Sequence, residues 1–111
     1  MTARVQEAPK TCVAQVREAL DRIEALNGDI NACVEVLSER SLEQARVADQ
    51  QLEDGRTRRP LKGVPIVVKV NIDVAGSLST ASMPGFADWR PETTAPVVTK
   101  LIEAGAIVVA K

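Results

Sequence analysis

Lys69 is the side chain with the most chemical potential in this sequence, because it interrupts the run Val64 to Val70, which is otherwise apolar and almost wholly β-branched. An ammonium in such a run is costly to bury unless it is paired, made neutral, or turned out to water at the strand end. A neutral lysine is a base, whereas a solvated one is an ordinary surface charge, and the residues alone leave both readings open. Ser77, Ser79 and Ser82 follow soon after, but the chain has no histidine, which removes the usual general base from any serine or cysteine mechanism built within it. Cys12 and Cys33 stand alone with no Cys-x-x-Cys pair, so zinc and haem attachment lack their ligands, and both thiols are expected to be reduced.

The second concentration of charge is Arg56, Arg58, Arg59 and Lys62. Without an aromatic partner or a glycine-rich nest these cations specify no phosphate site, and a solvated loop ahead of a buried strand is the expectation. The formal net charge of −1 and only two aromatic residues, Phe86 and Trp89, argue against a nucleic-acid partner, which needs a basic face or stacking platforms. The longest apolar runs, Val64 to Val68 and Ala104 to Ala110, are far too short to span a bilayer. The amino terminus lacks the apolar core of a secretory signal, so no membrane partner and a cytoplasmic address are expected.

The elements that must position Lys69 are read in chain order. Thr11 is placed to cap a helix over about 11–27, whose apolar face is Val13, Val16, Leu20 and Ile23 and whose end is expected at Asn27-Gly28. Ile30, Ala32, Val34 and Val36 alternate like a strand, but the assignment stays open. A second helix over about 38–55 is expected from a Ser38 cap through Leu42, Ala45, Ala48 and Leu52, with Glu39, Glu43, Arg46, Asp49 and Glu53 as its solvated face. Gly63 and Pro65 open the strand Val64 to Val70 and Gly76 closes the turn after it, with a short strand possible over Ser77 to Ala81. Met83 to Pro91 reads as a loop. A helix from Thr93 or Thr94 to Gly105 and a strand Ala106 to Ala110 complete a parallel strand-helix-strand unit over about 63–111. The fold class is therefore α/β: amino-terminal helices followed by a parallel β-α-β unit, within a single domain of 111 residues.

Both strands read as the kind that is covered on both faces, and three helices are too few to cover them. A homo-oligomer, or completion by another chain, is the expected remedy.

The block from Pro60 to Lys111 carries a resemblance. Pro60-Leu61-Lys62-Gly63-Val64-Pro65, Val67-Val68-Lys69, Asn71-Ile72-Asp73-Val74-Ala75-Gly76, Ser79-Thr80-Ala81, Ala95-Pro96-Val97-Val98 and Leu101 with Gly105 to Lys111 resemble the amidase signature family. Arg22 to Asn27, Ile30-Asn31-Ala32, Ala45-Arg46 and Ala48-Asp49 resemble its amino-terminal helices. The resemblance implies an incomplete part of a mixed-sheet α/β/α fold, with a short helix or an extended linker over Ile30 to Leu37. It implies hydrolysis of a small-molecule carboxamide to a carboxylate and ammonia by a serine, a second serine in a cis peptide and a lysine, with no cofactor and no metal. Lys69 matches the lysine, the proton acceptor through the second serine, and an apolar environment would favour its neutral form. Neither partner serine is in this chain, because Ser77, Ser79 and Ser82 lie outside the family's glycine-rich serine motifs and are expected to be structural; alone, the segment is expected to be inactive.

Two departures stand out: Val70 where an acidic residue is usual, and Thr80-Ala81-Ser82-Met83 where Thr-Ala-Gly-Ser is common. Both are similar to the indoleacetamide hydrolase branch. Asn71 and Asp73 are expected to hold the turn after the strand. The alternatives are a non-catalytic truncated relative or subunit that docks to a partner chain, and the A subunit of a tRNA-dependent amidotransferase.

Overall fold

Helix α1 (Cys12–Ile30) begins where its free amides find acceptors. In the computed structural model, which describes residues 10–53 and 59–111, Ala14 N donates to Thr11 Oγ1 over 3.0 Å. Cys12 N and Val13 N donate to the two carboxylate oxygens of Asp49 over 2.8 and 3.1 Å. The orphan donors of the first turn are thus satisfied partly by Thr11 and partly by a second helix. Asp49 is half-buried, which corrects its assignment to a solvated face.

The helix runs past Asn27-Gly28 to Ile30 and ends at Asn31, which takes the left-handed conformation at φ 52°. The expected end was early because Asn27 acts from inside the helix on the chain leaving it. Its Oδ1 accepts from Ala32 N and Cys33 N, and its Nδ2 donates to Cys33 O. A short amide side chain tolerates the left-handed site at Asn31, so glycine is not needed there.

Helix α2 (Ser38–Glu53) contains Ser38 as its first residue, and Ser41 N donates to Leu37 O, so the expected cap is already helical and the helix starts one residue early. Its expected continuation to Gly55, like Arg56 and Arg58, falls outside the described residues.

Strand β1 (Pro65–Val67) pairs parallel with β2 (Ile107–Ala110) in the register Pro65 to Ile107, Ile66 to Val108 and Val67 to Ala110, with an irregularity after Ile66. The crossover between them holds a 3-10 turn (Pro84–Phe86) and α3 (Pro96–Glu103). Pro96 sits in the first turn of α3 as expected, but Ala95 precedes it as the cap; Thr94 instead accepts from Ala75 N. Ser77 to Ala81 forms no strand. Its polar groups bond to side chains and to other loops instead, as when Ser79 Oγ donates to Asp73 Oδ1 and Leu78 N to Glu35 Oε1, which competes with a ladder.

Residues 31–37 form an extended ribbon antiparallel to β2: Val34 N donates to Lys111 O, Lys111 N to Glu35 O, and Leu37 N to Val109 O. β2 is therefore flanked on both edges, and its alternating side chains enter two cores. Ile107 and Val109 pack with Cys12, Val16 and Ala45 of α1 and α2, while Val108 packs with Val68, Val74 and Val98. β1 departs from expectation, being short and only partly covered, with Val67 54% exposed. Gly105 enters β2 at φ +108°, where a Cβ would lie 2.7 Å from the backbone of Lys62, so only glycine fits this approach. Among the described residues no helix is long and apolar enough to cross a membrane.

Candidate functional site

Lys69 leaves the sheet immediately after the last contact of β1 with β2, in which Val68 N donates to Ala110 O over 3.1 Å. Ile72 N then donates to Lys69 O over 3.0 Å, closing a turn over 69–72, and Ala81 N donates to Val70 O over 3.2 Å. Val68 is buried while Lys69 is exposed, and its side chain has no hydrogen-bond or ion-pair partner among the described residues. The expected apolar surroundings are therefore not formed around Lys69 by these residues. It lies beyond the carboxyl end of β1, the side of open parallel sheets on which ligands generally gather.

Beneath the loop after this turn lies a polar network. Lys111, at the carboxyl end of β2, is 2% exposed, and its Nζ donates to Ile72 O over 2.8 Å and to Ser77 Oγ over 3.2 Å. Ser77, fully buried, donates its own proton to Val74 O over 2.7 Å. Burial pushes the Lys111 ammonium below the usual lysine range, opposed by the charges of Asp73 and Glu35 and reinforced by Arg40. Glu35 accepts from Leu78 N over 2.8 Å and pairs with Arg90 over 2.8 Å. Burial would raise the Glu35 carboxyl, but these donors hold it below the ordinary glutamate range. Arg90 also donates to Gly76 O, and Arg40 to Ala75 O.

Asp73 takes part in holding the loop, accepting from Ser79 and, through its carbonyl, from Ala95 N, whereas Asn71 is exposed and outside this network. Ser77 and Ser79 are buried, and their hydroxyls donate within the loop to Val74 O and Asp73 Oδ1. The reading of the sequence missed Lys111, although it carries the same signal as Lys69: a lysine ending an apolar run. Glu35, Arg40 and Arg90 had no such signal, because their partners lie far away in the chain.

Cys12 is also perturbed. Burial, followed by the nearby Asp49 carboxylate, pushes its thiol from 9.0 up to about 11, the setting of an inert core thiol. Among the described residues no cluster of three or more histidine, cysteine or acidic side chains is placed to hold a metal ion.

Comparison with known proteins matches residues 14–111 to the Amidase family. The A subunit of the glutamyl-tRNA(Gln) amidotransferase of Moorella thermoacetica is 41% identical over 92 residues, 83% of this chain and 19% of that protein. The indoleacetamide hydrolase of Bradyrhizobium diazoefficiens is 37% identical over 107 residues, 96% of this chain and 20% of that protein. Among solved structures, the peptide amidase from Stenotrophomonas maltophilia superposes with a TM-score of 0.84 at 31% identity, over 92% of this chain and 21% of its own. The chain thus spans about a fifth of the length of the relatives it matches.

Proposed function

The chain belongs to the amidase signature family, and from that premise we propose that it is the amino-terminal part of an amidase and supplies Lys69 as the base for hydrolysis of a carboxamide to a carboxylate and ammonia. The observation that carries this reading is the setting of Lys69, on a turn at the carboxyl end of β1, exposed and engaged by no other described side chain. A lysine must be neutral to accept a proton, and a water-excluded apolar setting is what favours that form. The reading therefore requires the remainder of the enzyme to cover Lys69 and to bring the two serines to it. By itself the segment is catalytically silent.

In the full-length enzyme Lys69→Ala is expected to abolish turnover of the amide while circular dichroism and the urea midpoint stay unchanged, because a shorter apolar side chain removes the amine without stranding a partner charge. Lys62→Ala and Lys100→Ala serve as controls. Near-normal turnover by Lys69→Ala defeats the assignment.

A second reading is favoured by the similarity to the A subunit of the glutamyl-tRNA(Gln) amidotransferase: the same chemistry carried out within a complex with partner chains. Hydrolysis of a free small amide by the purified full-length chain supports the first reading, and activity only in the presence of partner chains supports the second.

The uncovered face of this segment also calls for a partner surface, either a second copy or another chain. Val67, Ile30, Val34 and Val97 are each more than half exposed, and β1 has no strand on its outer edge among the described residues. Sedimentation of residues 1–111 at several concentrations is expected to show association; a compact monomer with a cooperative melt overturns this.

A further inference from the structure

The two flanks of Lys69 are bonded to consecutive residues at the end of β2. On the amino-terminal side Val68 N donates to Ala110 O. On the other side Ile72, whose N–H closes the turn onto Lys69 O, gives its carbonyl to the Nζ of Lys111 over 2.8 Å. The buried ammonium is held in turn by Ser77 Oγ and faces Asp73 and Glu35, with Arg40 on the same network. A buried lysine beside a serine also suggests a nucleophilic pair, but Ser77 is fully buried and its proton is committed to Val74 O, so no substrate reaches it.

We propose that Lys111 is a positioning residue for the reaction: it clamps the carbonyl of Ile72 and so fixes the turn that presents Lys69. The proposal rests on the reading of Lys69 as the base. Its physical basis is that a charged donor bonded to a carbonyl in a water-excluded site is worth more than a neutral bond, and that small displacements of a base cost rate steeply. The Lys111 stem leaves β2 rigidly, since the ribbon 31–37 bonds both its N–H and its carbonyl. The turn therefore inherits the rigidity of the best-covered strand.

The test uses the full-length enzyme with Lys111→Met, which keeps an apolar stem and deletes the donors and the charge. Steady-state kinetics on its amide are combined with hydrogen exchange read over residues 69–79, with α1 and α2 as reference. The expected result is a fall in kcat of about 10²-fold with KM changed less than about threefold. Faster exchange confined to the turn accompanies it. A kcat within about twofold of wild type despite a loosened turn overturns the proposal, as does faster exchange throughout α1 and α2, which marks a merely structural lysine. If Lys111→Met gives no folded enzyme, Ser77→Ala decides: a severalfold loss of kcat at constant KM supports the clamp, and wild-type kcat overturns it. Lys69→Ala, measured alongside, separates the two failures. Turnover retained there removes the base reading itself, whereas a silent Lys69→Ala with a wild-type Lys111→Met removes only the clamp.

Discussion

Lys69 and Lys111 end the two strands of one parallel pair, each after an apolar run, yet one is exposed and the other is 2% exposed. The difference lies in what covers each strand. β2 has β1 on one edge, the ribbon 31–37 on the other, α1 and α2 on one face and Val74 with Val98 on the opposite face. β1 has β2 on one edge and part of one face covered, leaving Val64 and Val67 exposed. A lysine at the covered end must find acceptors or lose its charge, so it becomes a clamp. At the open end it stands in water until something else covers it.

The contrast breaks most severely if Lys69→Ala leaves turnover intact, since complete loss is the largest effect expected anywhere in this segment. Next in size is the strand pair itself. Val109→Asp, which places an unpaired carboxylate in the core, is expected to unfold residues 1–111 or lower their stability in urea by several kcal/mol, whereas Val67→Asp in the same chain stays within about 1 kcal/mol. Equal effects there would mean that β1 is covered after all. Gly105→Ala is expected to cost about 1–3 kcal/mol by the same measurement, because a side chain must take a positive φ and push against the backbone of Lys62.

Smaller is the loss from Asp49→Ala, about 1 kcal/mol, through the uncapped start of α1. Burial would raise the Asp49 carboxyl, but the amides of Cys12 and Val13 outweigh it and hold it below its ordinary 3.8. A carboxyl depressed in the folded state stabilises above its unfolded pKa and ceases to do so as pH falls through the folded one. The gap between wild type and Asp49→Asn should thus be constant near neutrality and close only below about pH 4. The smallest effect is a labelling pattern: with iodoacetamide at pH 8, Cys33 modifies first and Cys12 only on unfolding, read by peptide mass. Prior modification of Cys12 would mean that the α1–β2 core opens readily.

The elements were largely legible in the linear pattern because their causes are local. Thr11 caps α1 through the amide three residues on, Pro96 opens α3, and Gly105 turns the chain into β2. Lys69 stood out as a single charge in an apolar run. The errors fall where a distant group intervened. Asp49 looked solvated until the amino terminus of α1 was laid against it, and Ile30 to Leu37 had no assignment until β2 offered an edge.

Family and fold class were carried by residues near one another in the chain, whose spacing survives without coordinates. Burial was not, because an apolar run states what a strand can tolerate and says nothing of what lies above it. Only the packed structure decided that the lysine after Ala110 would sit beneath the turn of the lysine after Val68. Its reason is geometric: two strands in parallel register bring their ends together, and Ile72 and Lys111, 39 positions apart in sequence, become partners in a hydrogen bond that no local pattern encodes.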